Sequence, residues 1–264
     1  MTRTLLSEWT KLRTQRGALV ALVMTGVLMV GFSAFFASEQ QTDTRFAGDD
    51  DLVQFGLMGI AFAEIAVVVL GASLITGEFG TGMIRTTLIA TQQPLRVLVA
   101  KATLLSVLVL PVALAASAGG FVIAQELLRD NGYAPPSYPE VSLTDPTAAR
   151  AVVGSALLLT AYALTALGLG TILRHSGATI ATGVGLLFLP LLFLGTFPVS
   201  FARRIEQVTP LAGFAIQSSG DRMLSAFDGR SGMAIQPWAG LGVAFVWAFG
   251  ALAVGYLALR LRDV

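Results

Sequence analysis

Residues Leu52–Lys101 read LVQFGLMGIAFAEIAVVVLGASLITGEFGTGMIRTTLIATQQPLRVLVAK. The first half, Leu52–Thr76, is an apolar run interrupted by one charge, Glu64. The second half, Gly77–Lys101, holds Glu78, Arg85, Arg96 and Lys101, in a chain only 12% charged. A helix needs roughly 20 apolar residues to cross the hydrocarbon core. The first half therefore reads as a membrane span and the second as a polar connection to the next one.

The rest of the chain follows the same pattern. Of its 264 residues 55% are hydrophobic, while soluble domains carry about 25% charged residues. Six segments are long and apolar enough to span: 17–38, 52–76, 102–125, 151–173, 176–201 and 237–259. Backbone groups in lipid are satisfied internally, so these are helices, and none shows the alternation of a barrel strand. The fold class is an all-α integral membrane protein with six transmembrane helices. The first span, 22 residues long, exceeds the apolar core of a signal peptide, about 7–15 residues, and reads as retained.

Net charge is +1, which argues against nucleic acid as a partner. The absence of cysteine excludes disulfides and thiol chemistry. One histidine, His175, excludes a multi-histidine metal site. It sits in a short turn between spans four and five, with no Gly-x-Ser-x-Gly elsewhere, and reads as a polar turn residue rather than part of an intramembrane protease.

Orientation follows the excess of Lys and Arg in cytoplasmic segments. Ten basic residues fall on the side of the N-terminus, the 77–101 loop and the C-terminus, against seven on the other side. Both termini are expected to be cytoplasmic. The external segments are 39–51, 126–150 and about 202–236. The second contains Pro135, Pro136, Pro139 and Pro146 and is expected to be irregular. In the third, 208–216 and 223–227 are apolar but too short to span, and read as interfacial or re-entrant pieces, or as loop packed on helix ends.

Residues 1–16 have the spacing of an amphipathic helix. Leu5, Leu6, Trp9 and Leu12 share one face, Thr4, Glu8, Lys11 and Gln15 the other, and Arg13 and Arg16 lie at the apolar edge where they can reach phosphates. Such a helix lies in the membrane interface; the alternative is a charged flank that only fixes topology. In the loop, Gly77, Gly80 and Gly82 suit a sharp exit from span two. A two-turn helix over 83–90 is predicted, and Pro94 ends the segment. It is either a docking helix for a soluble partner or a plain connector.

With these residues in view, the chain resembles, over nearly its whole length, the membrane-spanning permease subunit of an ABC-2 type ABC transporter, of the kind common in actinobacteria. The likeness rests on SEWTKLRTQR (Ser7–Arg16), GEFGTGMIRTTL (Gly77–Leu88) with Leu95–Lys101, and the six-span layout. It implies an N-terminal interfacial helix (Leu5, Trp9, Leu12, Arg13, Arg16) and a coupling helix touching the ATP-binding subunit through Glu78, Phe79, Thr81, Gly82, Arg85 and Thr86. The GEFG spelling lacks a basic residue often found in the family. The resemblance implies export of a drug-, peptide- or lipid-like cargo across a bacterial plasma membrane, with a second permease copy or paralogue. The chain has no Gly-Lys-Ser/Thr to hold phosphates, so ATP and Mg are expected on a separate ATPase subunit and no cofactor or catalysis in this chain.

Glu64, the one charge inside a span, costs about 2.5–3.5 kcal/mol at a helix centre. It is expected to be protonated, paired, or turned to water or another subunit. Pro111, Pro190 and Pro198 are candidate kinks. Small pairs at four-residue spacing (Ala166 and Gly170, Gly240 and Ala244, Ala251 and Gly255) suit close helix packing within the chain more than a dimer face. The rival reading is an ATP-independent secondary transporter or channel, which would be expected to show more intramembrane charge than Glu64 alone; an intramembrane enzyme or a non-transporting anchor fit less well.

Overall fold

The computed structural model describes residues 7–11, 15–40, 51–84, 93–193, 199–219 and 235–261. Residues 7–11 are helical. After them come α1 (Arg16–Glu39), α2 (Leu52–Gly56), α3 (Ile60–Gly80), α4 (Pro94–Asp130), α5 (Pro146–Leu173), α6 (Ser176–Phe193), α7 (Val199–Val208), a 3₁₀ helix (Pro210–Gln217) and α8 (Pro237–Leu261). The described residues contain no strand. Five helices, α1, α3, α4, α5 and α8, are long and apolar enough to cross a membrane, so the chain is an all-α, multi-pass type of molecule.

The boundaries differ from those read off hydropathy, because a helix ends where its backbone is capped or blocked and not where apolar side chains stop. Span two is broken: Asp51 caps α2 by accepting from the amides of Val53 and Gln54, both at 3.1 Å, and a turn at 57–59 separates it from α3. Both ends of the loop predicted over 77–101 are helical instead. α3 runs on through Gly80, and Pro94, in the first turn of α4 where its missing N–H costs nothing, starts the next helix. At 37 residues α4 is about 55 Å long, more than the roughly 40–45 Å of a whole bilayer. A helix of that length does not fit within the hydrocarbon alone, and Lys101 is a helical residue, not a loop residue.

The four-proline segment shrinks to 131–145 in the same way, with Pro146 now the first residue of α5. There Tyr133 and Tyr138, with ring centroids 4.8 Å apart, pack on Ala37, Leu52, Ala124 and Leu128. The predicted fifth span is helical over Ser176–Phe193, 18 residues or about 27 Å; 194–198 lie outside the described residues, and α7 and the buried 3₁₀ helix come after them. The 208–216 piece is thus a helix end and a 3₁₀ helix. Met223–Phe227, Pro198 and most of the predicted 83–90 helix lie outside the described residues; Met83 and Ile84 are helical.

α5 is the hub. It packs against α3, α4, α6, α8 and the 3₁₀ helix, and 83% of its span is buried against 22% for α1 and for α8. Small residues allow the close approach. A side chain on Gly71 of α3 would run into the backbone carbonyl of Ala163, and one on Gly168 would meet the backbone of Ala251 in α8. Ala166 and Gly170, Ala251 and Gly255, and Gly240 and Ala244 serve such contacts inside the chain: Gly170 faces Ile75, Gly255 faces Thr171, and Gly240 faces Ala212.

Polar contacts mark the two ends of the bundle. At one end Asp51 accepts from the Ser218 hydroxyl (3.2 Å) and the Ser219 amide (2.7 Å), and Arg150 donates to the Ser218 carbonyl. At the other, Arg174 closes α5 in a left-handed conformation (φ 56°). Its guanidinium lies 5.3 Å from the Phe79 ring centre and donates to the Ala258 carbonyl at 3.3 Å. The carboxyl ends of α3, α5 and α8 therefore meet at one end, together with the N-terminal helical residues.

Candidate functional site

At that end four charged side chains form a closed ring. Lys11 Nζ lies 2.9 Å from Glu8 Oε1 and 2.9 Å from Glu78 Oε1. Lys101 Nζ lies 2.6 Å from Glu8 Oε2 and 2.8 Å from Glu78 Oε1, and also donates to the Leu74 carbonyl at 3.4 Å. Each acid touches both lysines, and the chain has no others. The ring joins the N-terminal helical residues to the last turns of α3 and the first turns of α4, the two helices on either side of the loop.

The ring is largely withdrawn from water. Glu8 and Glu78 are each 3% exposed and Lys101 2%, while the Lys11 side chain keeps 27%. A buried ion costs several kcal/mol unless paired with good geometry, and alternation of sign supplies that pairing here. Burial pushes the Glu8 carboxyl up, but Lys101 and then Lys11 outweigh it and hold it below its ordinary value. Burial pulls the Lys11 ammonium down, but Glu8 and Glu78 outweigh it and hold it above its ordinary value. Glu78 keeps one oxygen, Oε2, buried with no hydrogen-bond partner.

The helix-wheel reading of residues 1–16 is corrected in one respect. It set Glu8 and Lys11 on a face away from the apolar side, which in an interfacial helix is the water side. The structure turns Glu8 inward onto α3 and α4 and leaves Trp9 44% exposed. The polar face is a docking face because other charges await it. Arg16 is the exposed first residue of α1. Leu5, Leu12 and Arg13 lie outside the described residues.

The residues expected to contact a partner separate into two groups. Glu78 points into the bundle, where it holds lysines and has no surface to offer. Phe79 is half-buried under Arg174. Thr81, Gly82 and Met83 are exposed beyond the end of α3. The Thr81 hydroxyl donates to the Gly77 carbonyl at 3.0 Å, and Gly82, at φ 71°, takes the left-handed conformation that glycine adopts without strain. Arg85 and Thr86 lie outside the described residues. Glu64 is in the second turn of α3 rather than mid-span, because the break at 57–59 shifts the helix start. It is 2% exposed, faces inward and so does not line the surface of the chain.

Sequence reading missed Glu8, Lys11, Lys101 and Arg174 as a site. The available signal was scarcity: both lysines, and only Glu8, Glu78 and Asp263 among the acids, fall on the side assigned to the termini. His175 is exposed, and its Nδ1 accepts from the Ala178 amide at 3.2 Å, an N-cap for α6. Among the described residues no group of His, Asp and Glu is arranged to hold a metal ion. In comparison with known proteins, no family model and no curated protein matches the chain.

Proposed function

We propose that this chain is the permease subunit of an ATP-driven exporter of the ABC-2 type. It works as a pair, with a second copy or a paralogue, in a bacterial plasma membrane with both termini cytoplasmic. Two ATP-binding subunits dock under the end that carries the charge ring. The cargo is drug-, peptide- or lipid-like. The chain itself performs no catalysis.

The observation that carries this reading is the Glu8, Lys11, Glu78 and Lys101 ring. A docking segment transmits force only if its two flanking helices move with it. The ring ties the N-terminal helical residues, α3 and α4 together at Glu78, two residues before the exposed turn Gly80–Met83. Closure of the ATP-binding subunits against that turn would tilt α3 and α4 together. α3 rests on α5, and α5 on α8, so the tilt reaches the far end of the bundle. Glu78 then acts as a positioning residue, and partner contact falls to Thr81, Gly82 and Met83 with Arg85 and Thr86. ATP drives the cycle because the partner binds the two arrangements of this end unequally.

The test is purification of the intact chain from its native membrane. An ATP-binding protein encoded beside it is expected to co-purify. If none does, and transport survives deletion of every neighbouring ATP-binding protein, the chain works without an ATPase.

A further inference from the structure

Glu64 is the one buried acid among the described residues whose carboxyl makes neither an ion pair nor a hydrogen bond. It is 2% exposed, and its Oε2 is buried with no hydrogen-bond partner. The other buried acids are all engaged. Glu8 and Glu78 hold lysines, and Asp51 accepts from four donors.

The elements packed on α3 bring no cation to Glu64. α5 brings Tyr162, whose hydroxyl is committed to the Pro210 carbonyl at 3.1 Å; the one charge within α5, Arg150, lies twelve residues before Tyr162, about 18 Å along the axis, and donates to the Ser218 carbonyl. The Thr160 and Thr165 hydroxyls of α5 donate to their own helix, to Ala156 and Ala161. α1 carries charge only at its terminal residues, Arg16 and Glu39, and α6 carries none, with His175 just before its start. α4 carries its charges towards its two ends, Arg96 and Lys101 at the ring end and Glu126, Arg129 and Asp130 at the other, where Arg129 pairs with Glu126 and Glu140, and Glu78 is fourteen residues along α3, about 21 Å from Glu64 along the axis. At the other end Asp51 is satisfied by its own donors. One turn from Glu64, at Val68, the packing against Tyr162, Thr165, Gly183, Leu187 and Pro210 leaves a pocket with room for about one water molecule.

A carboxylate without a cation or a donor is not stable in such a place. We propose that Glu64 is a proton-binding site that holds its proton while α3 is packed on α5 as seen here and releases it when the two helices part. On release the O–H bond breaks, the electron pair stays on the carboxylate and the proton passes to water. Parting of α3 from α5 is thereby coupled to protonation at one residue, whether or not an ATPase drives the parting.

Infrared spectroscopy of the full chain in detergent at neutral pH tests this. The folded protein is expected to show the C=O stretch of an uncharged carboxylic acid, absent from Glu64→Gln. As denaturant is raised at constant pH, the band is expected to vanish together with helix packing, with a proton released into weakly buffered medium. Where Glu64→Gln does not fold, the wild-type band and its loss on unfolding decide alone. A folded wild-type protein without the band, a band that persists in folded Glu64→Gln, or one that outlasts the loss of packing would overturn the proposal.

Discussion

Lys101 Nζ lies 2.6 Å from Glu8 Oε2 although 93 residues separate them in the chain. The contact crosses from the N-terminal helical residues, past α1 and α3, to α4. Lys101 also reaches Glu78, so it is the buried member that both acids share. Removing one partner of a buried ion pair leaves an uncompensated charge and costs about 3–5 kcal/mol. Lys101→Met is therefore expected to lower thermal stability by about that much in detergent. Lys11→Met, at the ring's wet edge, is expected to cost about 1 kcal/mol or less. Equal losses in thermal melts of the two variants would contradict a ring centred on Lys101.

The ring also sets a pH window for docking of the N-terminal helical residues. Glu8 is held below its ordinary value of 4.5 in the folded chain, so its stabilisation is complete above that value and is lost as pH falls through the lowered one. Lys11 is held above its ordinary value of 10.5, so its contribution is complete below that value and is lost as pH rises through the raised one. Emission from Trp9, with Trp238 and Trp247 replaced by Phe, is expected to stay flat between these limits and to shift outside them. A transition near neutral pH would show that the ring does not hold the segment.

Glycines divide by what lies above them. Gly71 faces the Ala163 carbonyl, whereas Gly26 and Gly77 face open space. Overfilling a packed contact costs about 1–3 kcal/mol, so Gly71→Ala is expected to be destabilising by that much. Gly26→Ala is expected to be neutral or slightly stabilising, since alanine favours the helix by about 1 kcal/mol. Thermal melts of the two variants side by side check the α3–α5 contact without reference to function.

At the far end Asp51 caps α2 with one oxygen and holds Ser218 and Ser219 with the other. Loss of a cap costs about 0.5–2 kcal/mol. Asp51→Ala is expected to accelerate hydrogen exchange at the amides of Val53, Gln54 and Ser219 together. Asp51→Asn, which keeps one acceptor oxygen, is expected to spare part of that protection. Acceleration at residues 53 and 54 alone would mean that the 3₁₀ region is held in place by other contacts.

The spans were legible because lipid imposes length and apolarity on any crossing helix, and Arg16–Glu39, Pro146–Leu173 and Pro237–Leu261 fall close to the hydropathy boundaries. The break at 57–59 was not, because Leu57 and Met58 are as apolar as the helices they separate. The α4 ends were misread as loop because Arg96, Lys101 and Glu126 are charged, and charge marks exit from lipid, not the end of a helix. The ring was hidden for a related reason. Helical spacing identified the polar face of residues 7–11, but water and a buried partner ion both favour such a face. Only the fold brings Glu78 and Lys101 beneath it.

In the proposed function, force from an ATP-binding partner enters through the turn after α3 and is carried by the ring. The direct measurement is the ATPase rate of the complex with its co-encoded ATP-binding protein in liposomes, for the wild type and for Arg85→Glu and Glu78→Lys. Arg85→Glu is expected to weaken association and stimulation together. Glu78→Lys, which sets three cations against Glu8, is expected to leave the partner bound but remove its stimulation. Unchanged association and unchanged stimulation in both variants would overturn the proposed coupling.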